Sequence, residues 1–370
     1  MTVAGRVVTP DGVIEDGLVS VSGSVISSVS SSSSSDGPGV PSGHWIVPGF
    51  VDIHVHGGGG YTFTTGDPVQ AKGAVAFHLA HGTTTMLASL VSSPFELMLG
   101  ATKAFAPLVA EGLIAGIHFE GPYLSHARCG AQNPEYLREP SSAELAELIA
   151  AGTGSIRMLT IAPELPGALD AIDLLVRNGI VAAIGHTDAT YEQTMAGIAA
   201  GATVGTHVFN GMRPPHHRQP GPVFALLAAP SVVCEFIADG THLHDGALAF
   251  ASSVTGPGRA ALVTDAMSAA GMTDGHYELG GLPVSVVQGV ARLDGGSIAG
   301  STLTMDAALR RTVHSGLSLV DACRMAATTP AAAIGLGTEV GALRAGLRAD
   351  LVELSEDLQV VRVMRAGVWV

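Results

Sequence analysis

His54 and His56 stand two positions apart in the run VDIHVHGGGG, a spacing that puts two imidazoles on one face of an extended strand. Side by side they could grip one metal ion; taken alone, they could equally be two hydrogen-bonded core histidines. Other residues tip the balance. Glu120, His186, Asp188, His207, Asn210, Asp239, His242 and Asp265 each close an apolar, β-branched run. Three or four imidazoles with a glutamate and an aspartate make the nitrogen and oxygen donor set expected of Zn²⁺, with Fe²⁺ or Mn²⁺ as alternatives. Such a centre brings the pKa of bound water toward neutrality. Asp265, ligand or near-ligand, would then accept a proton and return it to a leaving nitrogen. The four glycines after His56 are expected to let the backbone leave its strand tightly and approach a ligand without Cβ interference.

Bringing these residues together demands a particular fold. Between residues 48 and 334, eight apolar runs (TTTMLASLV, SIRMLTIAPEL and VVCEFIADGTHLH among them) alternate with Ala/Leu-rich helical stretches such as SSAELAELIAAG. Continuous apolar strands alternating with helices imply an α/β protein with a parallel sheet covered on both faces. Eight units predict a (β/α)8 TIM-like barrel, in which the C-terminal strand ends converge on one rim. The polar candidates occupy those ends. A doubly wound open sheet is the competing architecture, but no glycine fingerprint opens the first helix. Residues 1–47 and 335–370 read differently, as short alternating runs with Gly turns. They predict a small discontinuous β-sandwich domain built from both termini, flanking the 48–334 barrel. The low-complexity stretch SSVSSSSSSDGPG, serine-rich over 27–35, is expected to be a loop without fixed order.

Bulk properties bound the function. The 370 residues are 47% hydrophobic and 14% charged, with a formal net charge of -14, which argues against a nucleic-acid or anionic-membrane surface. A small anionic substrate stays open, because a metal and a few arginines set the local field. Cys129, Cys234 and Cys323 form no CxxC pair, and no run has signal-peptide or membrane-spanning character, so a reduced, cytoplasmic setting is expected.

Six segments in order, PGFVDIHVHG, HFEGPYL, GHTDA, THVFNGM, DGTHLH and LVTDAM, resemble the amidohydrolase superfamily and, within it, the deacetylases of N-acetylglucosamine 6-phosphate. Superfamily members with a carboxylated lysine on the fourth strand are a poorer match. The only lysines are Lys72 and Lys103, and the fourth run has none. The resemblance implies hydrolysis of the acetamide of N-acetylglucosamine 6-phosphate to glucosamine 6-phosphate and acetate, in amino-sugar recycling. It implies Glu120, His186 and His207 as principal metal ligands, His54 and His56 completing a second site with Glu120 bridging, and Asp265 as general base and acid. One or two metals per subunit follow. Ala131, Asn210, Gly211, Asp239, His242, Ile298, Ala299 and Gly300 would contact substrate, and Arg218 with His242 would take the 6-phosphate. A neighbouring subunit would complete that phosphate site, so a homodimer is implied. The chain departs from the family in SHARCGAQNP, where Gln132 stands in place of a substrate-binding histidine and would still contact substrate, hydrogen-bonding a hydroxyl or phosphate without bringing charge; Cys129 nearby is either a lid residue or a small hydrophobe. His118, two residues before Glu120 on the same face, could brace the site. Competing readings are an amidohydrolase for another N-acyl substrate, such as N-acetylgalactosamine 6-phosphate or an N-acyl amino acid, and a non-catalytic binding barrel.

Overall fold

A computed structural model describes residues 1–32 and 43–370. Eight parallel strands make the central sheet: Phe50–Asp52, Thr83–Val91, Gly116–Glu120, Ile156–Ile161, Val181–Ile184, Val204–Gly205, Val233–Ile237 and Ala260–Val263. Each pairs with the next in chain order. The second and third are buried along their whole length, so their polar residues, Ser89, His118 and Glu120 among them, are enclosed rather than turned to solvent. The seam between the eighth strand and the first closes just past their ends. There Asp265 N donates to His54 O and His56 N to Ala266 O, each at 2.8 Å. The expected barrel is present.

Several helices between the strands start on explicit side-chain caps. Ser142–Gly152 opens with the Ser141 side chain accepting from Glu144 N, and Tyr191–Ala199 opens with a capping box of Thr190 and Gln193. The first of these presents Leu145 and Leu148 to the barrel. Short, well-stopped helices return the chain to the same end of the barrel each time, and the loops after each strand therefore share one rim.

Both termini enter one seven-stranded sheet. Trp45–Pro48 is its meeting point, parallel to Thr2–Thr9 on one side and antiparallel to Leu351–Leu354 on the other. Val7, Val19, Ile26, Ile46 and Leu351 fill its core. The serine run is partly regular, against the expectation of a loop: Ser27–Ser31 belong to strand Val25–Ser31, paired with Gly12–Ser22. Ladder bonds and the buried Ile26 outweigh the poor strand preference of serine there. Residues 33–42 lie outside the described part of the chain.

An insertion not foreseen from the barrel pattern follows the eighth strand. Gly275–Leu279, Leu282–Val287 and Val290–Arg292 form a three-stranded antiparallel sheet. Its signal is in the sequence, because Gly280–Gly281 and Gln288–Gly289 join alternating runs, and all four residues have positive φ, as two-residue hairpin turns require.

Candidate metal centre

The first barrel strand stops at Asp52, so His54 and His56 lie beyond the ladder rather than within it. Their backbone stays extended, held by Val55 N to Ser89 Oγ and Ser89 N to Val55 O, both 3.0 Å. Both rings therefore still point inward, with Nε2 atoms 3.1 Å apart. The glycines that follow serve the protein rather than a ligand. Gly57–Gly58 pairs with Tyr61–Thr62, and a Cβ on Gly58 would sit 2.4 Å from the Phe77 ring.

Glu120 ends the third strand and stands at the centre of the site. Its Oε1 is 2.9 Å from Nε2 of both His186 and His207, and its Oε2 is 3.1 Å from His56 Nε2. His54 Nε2 is 3.6 Å from Glu120 Oε1, and Asp265 Oδ1 lies 3.3 Å and 3.6 Å from the rings of His56 and His54. Two triads thus share one carboxylate: His54, His56, Glu120 and Glu120, His186, His207. All six residues are buried. His186, His207 and Asp265 have φ of 45°, 27° and 48°, a left-handed conformation that costs free energy in non-glycine residues and gathers at functional sites.

The far nitrogens of three of these rings are held by the protein, as is usual around metal-ligating histidines. His54 Nδ1 is 3.1 Å from Glu235 Oε2, His56 Nδ1 3.1 Å from Ser89 O, and His186 Nδ1 2.8 Å from Arg128 O. Glu235, fully buried on the seventh strand, also accepts from His207 N at 3.1 Å. Its signal in the sequence is a single acid inside the apolar run VVCEFI. One layer deeper, His118 joins Ser89 Oγ and Thr160 Oγ1, each at 2.9 Å, and packs edge-on against the His54 ring. Burial, aided by the charge of His54, holds His118 well below the ordinary histidine range, so it braces the site as a neutral ring.

Burial works against charge on His54, yet Glu120, Asp265 and Glu235 overcome it and raise this ring well above the ordinary range. His56, equally desolvated, is lifted to about 9 by Asp265 and Glu120. Glu120 itself is held well below a normal carboxylate: His54 and His186 outweigh its burial. The field around these groups favours positive charge. A divalent cation supplies that charge in place of ring protons, and the nitrogen and oxygen donors suit one.

Above the cluster opens a cavity of about 260 Å³, lined by His56, Glu120, His186, His207 and Asp265 on the metal side. Gly130, Gly211 and Gly300 form part of its wall, and bulk is excluded there: a Cβ on Gly211 would lie 2.8 Å from His186 Nδ1, at φ +60°. Val91 and Leu279 supply an apolar side, the latter from the inserted sheet.

The amidohydrolase family profile matches residues 45–370. This chain belongs to the amidohydrolase family. It is 45% identical to N-acetyl-D-glucosamine-6-phosphate deacetylase of Mycobacterium smegmatis, solved as an aspartate-to-alanine variant in complex with N-acetyl-D-glucosamine-6-phosphate. The match covers 100% of this chain and 98% of that one with a TM-score of 0.96. It is 36% identical over 333 residues to the N-acetylglucosamine-6-phosphate deacetylase of Lysinibacillus sphaericus, covering 88% of this chain and 85% of that protein. An N-acetylgalactosamine-6-phosphate deacetylase of Escherichia coli O157:H7 is 38% identical over 328 residues, covering 87% and 86%.

Among the other predicted residues of this amidohydrolase, Ala131, Gln132, Asn210, His242 and Ile298 line the same cavity. His242 Nδ1 is 2.7 Å from Asp239 Oδ2, so Asp239 fixes the ring from behind. Gln132 is tied at both ends of its amide: Nε2 donates to Glu120 Oε2 at 2.6 Å and Oε1 accepts from Ser92 N at 2.7 Å. Ala299 is buried beside the wall, packed with Val91, Met267 and Leu279. Cys129 is a half-buried free thiol on the adjoining loop. Arg218 is outside the cavity, on an exposed loop with its Nη1 2.9 Å from His217 Nε2. Asp188, also at a strand end, is engaged by Arg213 and Arg128 at 2.8 Å each.

Proposed function

We propose that this amidohydrolase removes the acetyl group of N-acetylglucosamine 6-phosphate, giving glucosamine 6-phosphate and acetate in amino-sugar recycling. The carrying observation is the pair of triads sharing Glu120, with Asp265 alongside, at the base of a cavity. The Mycobacterium smegmatis relative, described in complex with N-acetyl-D-glucosamine-6-phosphate, supports the choice of substrate. Two divalent ions, Zn²⁺ in this reading with Fe²⁺ or Mn²⁺ as alternatives, would be held by His54, His56, Glu120, His186 and His207. Bound there, they would polarise the acetamide carbonyl and acidify water.

The chain's own groups do the rest. Burial alone would raise the Asp265 carboxyl, but His54 and His56 more than offset it and keep the group ionised. It takes the proton of the attacking water and passes it to the departing amine. His242, held by Asp239, donates to a developing oxyanion or a sugar hydroxyl. Ala131, Asn210, Gly211, Ile298 and Gly300 shape the wall around the sugar, Ala299 backs that wall, and Gln132 steadies Glu120 beside it. Cys129 stands on the loop that would close over bound substrate. Arg218 serves the 6-phosphate through its planar fork in a homodimer, reaching the neighbouring subunit's cavity. No helix among the described residues is long and apolar enough to cross a membrane. With the three free cysteines, this supports a cytoplasmic enzyme.

Acetate release from N-acetylglucosamine 6-phosphate, its galacto epimer and unphosphorylated N-acetylglucosamine tests the reading. The first should have the highest kcat/KM and the last the lowest. Preference for the epimer would favour the alternative suggested by the Escherichia coli O157:H7 relative, and equal turnover of the unphosphorylated sugar would remove the phosphate role of Arg218.

A further inference from the structure

A second polar cavity lies at the opposite end of the barrel. It has a volume of about 150 Å³, and its lining includes Thr85, Ala115, Arg157, Glu339, Arg348 and Arg365. Thr85, Ala115 and Arg157 stand at or just before the starts of barrel strands, while Arg365 ends strand Val360–Arg365 of the terminal sheet. The cavity therefore occupies the seam between the barrel's N-terminal mouth and that sheet.

Three arginines gather here in a chain of net charge -14. Protein partners use only part of their donors. Arg157 Nε donates to Ala115 O at 3.3 Å, and Arg365 Nη2 donates to Gly112 O and Leu113 O at 2.7 Å and 2.9 Å. Arg348 bonds Thr85 Oγ1 at 2.6 Å and pairs with Asp350, whose second oxygen accepts from Ala366 N. Both Nη atoms of Arg157, Nε and Nη1 of Arg365 and Nη1 of Arg348 make no bond to protein among the described residues. Glu339, the acid on the lining, is exposed. Burial and the neighbouring Arg348 both lower Arg365 from the ordinary arginine range, as befits a cation short of counter-charge. Space for the arrangement is built in, since a Cβ on Gly116 would lie 2.1 Å from Arg157 Cγ.

We propose that this cavity binds a small tetrahedral oxyanion, a phosphate or the phosphate end of a monoester, between the free guanidinium edges of Arg157 and Arg365. Guanidinium forks match such oxygens in pairs. A bound anion would tie the terminal sheet to the barrel and stabilise the folded chain by mass action. This inference is independent of the deacetylase reading.

Crystals of the full-length, metal-loaded protein soaked in selenate should show anomalous density among Arg157, Arg348 and Arg365. In calorimetry with inorganic phosphate, Arg157→Gln should abolish one binding event of the wild-type protein, or weaken it at least tenfold, with kcat and KM unchanged. Arg157→Lys, which keeps charge without the fork, should fall between the two. A hexose 6-phosphate titrated separately separates the sources: competition with phosphate for that event assigns a monoester, and no competition assigns inorganic phosphate. Absence of selenate from the cavity, or an Arg157→Gln isotherm identical to the wild type, overturns the proposal.

Discussion

The two histidine pairs that meet at Glu120 are held in different ways. His54 and His56 follow the first strand on extended backbone, and each has its far nitrogen on a buried acceptor, Glu235 or Ser89 O. His186 and His207 sit on turns with left-handed backbone. The far nitrogen of His186 meets a loop carbonyl, and that of His207 has no hydrogen-bond partner among the described residues. The inner pair is preorganised by the barrel itself, whereas the outer pair is strained and takes its remaining order from whatever it binds. Only Glu120 belongs to both, so it should matter most.

Glu120→Gln is therefore the severest test. It keeps the shape of the side chain but removes the shared charge. Elemental analysis should show both sites depleted, with turnover lower by about 10⁴-fold or more; metal retained at both would break the account of a common bridge. Asp265→Asn should lower kcat by about 10²- to 10⁴-fold while metal content stays near wild type, because its main task is proton transfer. Retained turnover would take that role away from Asp265.

Glu235→Gln sharpens the comparison. Its oxygen can still accept from His207 N, but the charge behind His54 is gone. Metal affinity at the inner pair should fall about 10- to 100-fold, with a smaller change at the outer pair. Equal loss at both, measured by competition with a chelator, would mean that the pairs do not differ as described.

Asp306, whose side chain bonds His81 and Arg310 and neither histidine pair, provides a control. Burial would raise its pKa, but bonds from His81, Thr304 and Arg310 hold it well below the ordinary aspartate range. An acid whose folded pKa is lowered contributes stability above its unfolded value of 3.8, and that contribution is lost as pH falls toward the folded one. Asp306→Asn should cost about 1–3 kcal/mol at neutral pH. Melts below pH 4 should show the gap narrowing, with metal binding unchanged throughout.

The rim was legible in the sequence because six of the eight apolar runs ended at the same phase in a histidine, acid or amide, a pattern that core packing does not generate. Eight such runs fixed the barrel as well. What the sequence could not convey was contact across the barrel. Glu235 reads as an isolated acid in a strand until closure brings it against His54, 181 residues away. Gln132 reads as a substrate contact, and its commitment to Glu120 and Ser92 depends on how a long loop folds back. The glycines after His56 read as ligand-facing because their real neighbours, Tyr61 and Phe77, are brought in by a hairpin and the first helix. The inserted sheet was within reach, since its Gly-Gly and Gln-Gly turns are explicit.

Anomalous diffraction at the zinc edge, from protein loaded with Zn²⁺ and washed, asks the central question directly. Two peaks are expected, one within bonding distance of Glu120, His186 and His207, the other beside His54 and His56 with Glu120 between them. No peak at Glu120, or zinc bound only elsewhere on the chain, would contradict the account.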